Sequence, residues 1–292
     1  MNVTFPNVSF PRTTFSGQKA TLNKTRVVSP VADTNADADI NADVKEAIKG
    51  KKYGFPLCVP FYVMNPSIHQ RFVVEKNPEE DILKKYIDNY VNEKVIANAI
   101  NKNPEITRIL KLYKIKPIIS QTNINQSAKD HMFATYKYAK EIVEELEANN
   151  KFKVPENRIK LNDKEKTTLY QAALLHDIGK ALIPEKIVQK PGRLTLRERD
   201  IMGIHARLGY EILKTTNVSE DVMHVIRTHH LPVIEKENDI VSQILSVADV
   251  YSALTEKRPY RDAMNNDKAF GIMTDPRLCQ DYVGVLKHLK CG

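Results

Sequence analysis

No stretch of about 18 apolar residues occurs anywhere in the 292-residue chain, which argues against a transmembrane helix. The opening residues, MNVTFPNVSFPRTTFSGQ, contain no apolar core of signal-peptide length, so secretion is not expected. Cysteine is scarce and odd in number: Cys58, Cys279 and Cys291 are scattered. They form neither a disulfide framework nor a CxxC metal pair, and read as reduced thiols in a cytoplasmic protein. Also missing are an arginine-rich arm, an aromatic RNA-binding signature and a zinc finger. The formal charge is nevertheless +8, from 44 Lys and Arg against 36 Asp and Glu. Because the lysines are spread along the chain, they read as a solvated basic surface that steers polyanionic ligands such as nucleotides. Nucleic acid is not expected as the main partner.

What is present divides the chain into three. Residues 1–44 are rich in Thr, Asn, Ser, Asp and Ala, with the repetitive stretch ADTNADADINAD. Too few large apolar side chains are available there to offset ordering entropy, which predicts a disordered tail. Residues 45–118 read as a helical lead-in or small regulatory segment. Pro56, Pro60 and Pro66 interrupt its start. Then NPEEDILKKYIDNYVNEKVIANAI places Leu83, Tyr86, Ile87, Tyr90, Val91 and Ile100 at helical spacing, with Asn77 as cap and Pro78 in the first turn. A further short helix is expected after Asn103-Pro104. Residues 119–292 show scarce strand-like alternation and read as helices near 126–149, 163–176, 195–214, 219–231 and 239–256. The expected class is all-α.

Five of the eight histidines fall on inward faces of these helices. His131 shares a stripe with Ala128, Thr135, Tyr138, Ala139, Ile142 and Leu146. His176 closes the run LYQAALLHD, His205 aligns with Ile201, Gly209 and Ile212, and His229 follows Val222, Val225 and Ile226. A single histidine on an apolar face is more often a hydrogen-bonded core residue than a ligand. Five together are different, since each unsatisfied buried imidazole would cost about 1–3 kcal/mol. A shared metal cluster removes that cost. Asp177, next to His176, and Asp249, inside the apolar run ILSVADVYSAL, complete the set, because a carboxylate in such a context needs a partner. His229 and His230 diverge by about 100° on a regular helix, so both reach one metal only near a helix end. Pro232 puts them there. His69, His224 and His288 have no ligand context, and Met132 and Met202 read as packing residues.

With these residues in view, the stretch from about 126 to 285 resembles the HD superfamily of phosphohydrolases, and within it the HD-GYP branch. LLHDIGK carries the HD signature. IPEKIVQKPGRLTLRERDIMGIHARLGYEIL, IRTHH and ILSVADVYSALTEKRPYRDAM follow the branch's remaining motifs in order, and AFGIMTDPRLCQDYVGVLKHL resembles an abbreviated closing helix. The resemblance implies an HD-domain helical bundle of about five helices around two divalent metal ions, with iron or manganese favoured. His131, His176, Asp177 and Asp249 would hold one ion. Asp177 would bridge to the second, completed by His205, His229 and His230. Lys180 of HDIGK would lie near a substrate phosphate, and Arg258 and Arg261 of RPYR are further candidates for phosphate contact. Two departures stand out. The branch follows its tandem histidines with Glu and a Gly-rich loop ending in Gly-Tyr-Pro, associated with recognition of cyclic di-GMP. Here the segment is LPVIEKENDI, without glycine. Ser127 stands where some members have a third-metal Glu, so two ions are expected rather than three.

The function so implied is a binuclear metal-dependent phosphohydrolase, a phosphodiesterase for a cyclic dinucleotide or related phosphodiester. A hydroxide bridging the two metals would be its nucleophile, with Asp177 and Lys180 as the central catalytic residues. HDIGK is not a P-loop, since the spacing Gly-x-x-x-x-Gly-Lys-Ser/Thr is missing. Two alternatives stay open: an HD-type phosphomonoesterase acting on nucleotides, and a non-catalytic signalling module on the same scaffold. A homodimer is carried as an expectation that the residues leave open.

Overall fold

The computed structural model describes residues 78–116, 126–148, 161–236, 239–257 and 262–291. The tail expected to be disordered, the proline-broken stretch after it and the cap Asn77 lie outside the described residues. The described residues are all-α, with helices and 3-10 turns and no strand.

The lead-in contains α1 (Pro78–Tyr90), α2 (Glu93–Lys102) and α3 (Pro104–Leu112). The single helix expected over most of this stretch is broken after Tyr90. Asn92 leaves the helical path and its side chain accepts from the Val95 amide, starting α2 instead. Asn103 caps α3 in the same way, with Pro104 at the first position as expected. Leu83, Tyr86, Ile87, Tyr90 and Val91 are buried, and α1 packs on the fourth and fifth helices while α2 and α3 pack on the eighth.

The remaining helices surround α4 (Gln126–Ala148). Its buried positions Met132, Thr135, Tyr136, Ala139, Ile142, Val143 and Leu146 recur every three to four residues and form one apolar face. Against it lie α5 (Asp163–Leu175) and α10 (Ile240–Thr255). An Asn162–Glu165 capping box opens α5. Apart from Val250, Ala253 and a few residues at its ends, α10 is buried along its length, as the run ILSVADVYSAL demands. Burying each of Ile244, Leu245 and Val247 is worth about 1.5–3 kcal/mol. A 3-10 turn, Ile178–Leu182, follows α5 and leads to the short α6 (Glu185–Val188). Next come α7 (Leu196–Gly203), α8 (His205–Leu213) and α9 (Glu220–Thr228). A second 3-10 turn, Val233–Lys236, precedes α10, and α11 (Asn266–Ile272) and α12 (Gln280–Cys291) close the chain, α12 against α4.

Two expected helices differ from those observed. The one at 195–214 is split at Ile204, because the Met202 carbonyl is taken by the His205 imidazole at 2.7 Å and by the Ile204 amide. The one at 219–231 ends at Thr228, so His229 and His230 sit in the turn beyond it. Among the described residues no helix is long and apolar enough to cross a membrane.

Candidate metal centre

Seven side chains expected from the sequence to meet do meet. His131 comes from α4, His176 and Asp177 from the turn after α5, and His205 from the first position of α8. His229 and His230 follow α9, and Asp249 lies on α10. All but His230 are buried; its side chain is 48% exposed. His224 and His288 are exposed and pair instead with Asp239 and Glu145. Met132 is fully buried in the core. Arg258, Arg261 and His69 lie outside the described residues.

The donors form two clusters, His131–His176–Asp249 and His205–His229–His230, each with its ligand atoms within 4.8 Å of one another. Asp177 stands between them. Its Oδ2 is 3.5 Å from His176 Nε2 and 3.7 Å from His131 Nε2, while its Oδ1 is 3.4 Å from His205 Nε2. In the first cluster His131 Nε2 is 3.0 Å and His176 Nε2 3.6 Å from Asp249 Oδ1. In the second, the Nε2 atoms of His205 and His230 are 3.1 Å apart. Neighbouring donors on one ion at metal–ligand distances near 2.0–2.2 Å lie about 3.0–3.5 Å apart, so these separations suit shared cations.

The other ring nitrogens explain why the lone pairs face inward. Nδ1 of His176, His205 and His229 donates to the carbonyl three residues earlier, on Ala173, Met202 and Ile226, at 2.9, 2.7 and 2.6 Å. That fixes the Nδ1–H tautomer and leaves Nε2 as an acceptor, the form that binds metal. Nε2 of His176 and of His229 is buried without a hydrogen-bond partner. Two orphaned imidazole lone pairs, that of His176 facing Asp177 and Asp249 and that of His229 grouped with His205 and His230, make no sense as core packing and fit cation ligands well. His131 is held by side chains instead: its Nδ1 meets Ser252 Oγ at 3.0 Å and Glu256 Oε2 at 3.2 Å, and Ser252 Oγ donates to Glu256 Oε1.

The charges respond to this crowding. Burial pushes His205 down to about 4, and burial with the neighbouring imidazoles holds His229 well below its usual value. Both rings are therefore neutral ligands near pH 7. Burial opposes the charge on His131 too, but hydrogen bonds to Asp249 and Glu256 outweigh it and raise its pKa. Asp177 stays well below the usual carboxylate range against its burial, because Lys180 and then the histidines compensate. Lys180 Nζ lies 2.5 Å from Asp177 Oδ2 and is one-fifth exposed, so it lines the mouth of the centre.

Close backbone contact brings the two clusters together. A Cβ added at Gly179 would lie 1.9 Å from the His205 carbonyl oxygen and 2.6 Å from the Gly209 nitrogen. Only glycine lets the turn bearing Asp177 and Lys180 rest on α8 at this distance. Sequence reasoning missed this role, and it also missed Ser252 and Glu256. A signal existed for the latter: Asp249, Ser252 and Glu256 are spaced three and four apart and share one face of α10.

Comparison with known proteins agrees with this geometry. Residues 129–254 match the HD domain. The matched segment takes in all seven donors, from His131 to Asp249. The chain is 32% identical over 139 residues to the cyclic di-GMP phosphodiesterase response regulator RpfG of Xanthomonas campestris pv. campestris, covering 41% of this chain and 36% of that one. It is 31% identical over 141 residues to a cyclic di-GMP phosphodiesterase of Thermotoga maritima, covering 42% and 38%. To the 3'3'-cGAMP-specific phosphodiesterase 3 of Vibrio cholerae serotype O1 it is 32% identical over 127 residues, covering 40% and 28%. The matched region thus spans about a third of the length of these relatives.

Proposed function

We propose that this chain is a binuclear metal-dependent phosphodiesterase that hydrolyses a cyclic dinucleotide or a related phosphodiester. The observation that carries the reading is Asp177, whose two oxygens face different histidine clusters. His131, His176, Asp177 and Asp249 would hold one divalent ion, and Asp177, His205, His229 and His230 the other, with iron or manganese suiting the mixed imidazole and carboxylate donors. Two such ions supply Lewis acidity, polarising phosphoryl oxygens and lowering the pKa of water toward neutrality.

The protein's own groups do the rest. Neutral His205 and His229 keep their lone pairs available, and buried walls limit competing water. His230, the exposed member, opens the centre toward solvent and so toward substrate. Lys180 stands at that mouth, placed to hold a phosphoryl oxygen and to stabilise charge that develops on it. Arg258 and Arg261 are proposed as further phosphate contacts. A cytoplasmic setting belongs to this proposal, in keeping with three scattered cysteines that form no disulfide framework in the sequence. We assign residues 119–292 to the catalytic unit and 45–118 to the lead-in, and leave residues 1–44 as a tail. A homodimer is part of the same proposal.

One observation favours a second reading. The segment after the tandem histidines is short and lacks the glycine-rich loop associated with cyclic di-GMP, which suits a nucleotide phosphomonoesterase. Elemental analysis of protein purified without chelators, combined with hydrolysis assays on cyclic di-GMP, 3'3'-cGAMP and nucleoside monophosphates, tests both readings. The expected outcome is two metals per chain and cleavage of a cyclic dinucleotide. Cleavage of monoesters alone would favour the second reading, and metal-free inactive protein would leave a non-catalytic module.

A further inference from the structure

The same short segment places a lysine in the interior. Lys236, at the end of the second 3-10 turn, is only 5% exposed. Its Nζ donates to the His229 carbonyl at 2.9 Å, to the Ser242 carbonyl at 3.2 Å and to Ser246 Oγ. An ammonium has three hydrogens and here has three acceptors. The residue is fixed at its other end as well. Its own carbonyl accepts from Gln243 Nε2 at 2.7 Å and from the Asp239 amide at 3.0 Å.

The acceptors explain what this buried cation does. The last carbonyls of α9 have no partner within the helix. Val225 O accepts from Thr228 Oγ1, Ile226 O from the His229 ring and Thr228 O from the Leu231 amide. At the cap itself, Lys236 takes His229 O together with Ser246 Oγ. Ser242, Ser246 and Asp249 lie four and three residues apart and share one face of α10. Lys236 therefore ties the turn that carries His229 and His230 to the helix that carries Asp249, one turn from the carboxylate.

We propose that Lys236 is a positioning residue for the His205–His229–His230 cluster, an internal strut that sets the aim of the tandem histidines. This rests on the binuclear reading above. A general role in helix capping would lower stability alike for both clusters. The strut instead acts on one cluster and spares the other.

The test loads the purified full chain with manganese(II) and measures bound metal, stepwise affinity by chelator competition, spin coupling by electron paramagnetic resonance, and melting temperature. Wild type is expected to bind two coupled ions. Lys236→Met should hold one ion as tightly as wild type and the other about 10–100-fold more weakly, the range for lost outer-shell support, with the coupled signal replaced by a mononuclear one. Ser246→Ala, a small change that keeps the fold, should weaken the same ion to a lesser degree. Wild-type affinity for both ions in Lys236→Met overturns the strut, as does an equal weakening of both. Should Lys236→Met fail to fold, wild-type affinity for both ions in Ser246→Ala overturns it. A wild-type chain that binds no manganese sinks the binuclear reading itself, which is a distinguishable result.

Discussion

The two histidine clusters use similar donors but are held in different ways. His131, His176 and Asp249 are buried; His176 is fixed by a backbone carbonyl, like the rings of the second cluster, but His131 is oriented by side chains, Ser252 and Glu256, from the helix that also bears Asp249. His205 and His229 are oriented by backbone carbonyls of their own turns, and His230 opens to solvent. The first cluster is thus a closed pocket carrying negative charge from several carboxylates. The second is made of neutral rings on chain turns and faces the entrance. An ion in the first would have a structural and electrostatic anchor, whereas an ion in the second would sit nearer to solvent.

Removing what joins the clusters should have the largest effect. Asp177→Ala deletes the carboxylate shared by both, so hydrolysis is expected to fall by about 10²–10³-fold or more, the scale of losing a central electrostatic contact. Metal content should drop with it, as read by elemental analysis. Wild-type metal and turnover in this variant would remove Asp177 from the centre. Next in size is Gly179→Ala. Its methyl group would press on the backbone of α8 at His205 and Gly209, and backbone on both sides cannot yield cheaply. Destabilisation on the order of 3–5 kcal/mol is expected, measurable by denaturant unfolding, with the second cluster losing its ion first. An unchanged midpoint would mean that the turn and α8 are not in tight contact.

Much of this was legible in the residues themselves. The helical stripes of α4 and α10, and the apolar setting of Asp249, required only periodicity and the cost of a buried charge. Pro232 put His229 and His230 near a helix end, and the structure stops the helix one residue before the pair. What sequence reading missed came from interactions that compete with local propensity. The break at Ile204 arises because an imidazole takes a helix carbonyl, and the break after Tyr90 because Asn92 caps a new helix, where the apolar pattern runs on unbroken. Lys236 looked like one more surface lysine in a chain with many. Only tertiary structure reveals that three acceptors wait for it.

The clusters should also differ toward protons. Hydrogen bonds to Asp249 and Glu256 outweigh burial and raise His131, so in metal-free protein it keeps its proton to higher pH than a free imidazole, and an incoming cation must displace that proton. His205, pushed down to about 4, and His229 are already neutral. Loading the first cluster should therefore release more protons than loading the second. Calorimetric titrations with manganese(II) in buffers of different ionisation enthalpy read this directly. Equal proton release in both steps would erase the contrast.

The smallest effect expected is at the outer rim of the closed pocket. Glu256→Gln keeps the size of the side chain and removes the charge that pairs with His131 Nδ1. Ser252 still meets the ring, so the tautomer survives and the fold should be unaffected. What is lost is the carboxylate's push on the imidazole, which makes Nε2 a stronger donor. Affinity for the ion in the first cluster should fall about tenfold, and His131 should release its proton at lower pH, since one of the two carboxylates raising its pKa is gone. The second cluster has no contact with Glu256 and should bind as before. If the variant weakened both ions alike, the pockets would be one electrostatic unit rather than two, and the difference in how their histidines are held would carry no functional consequence.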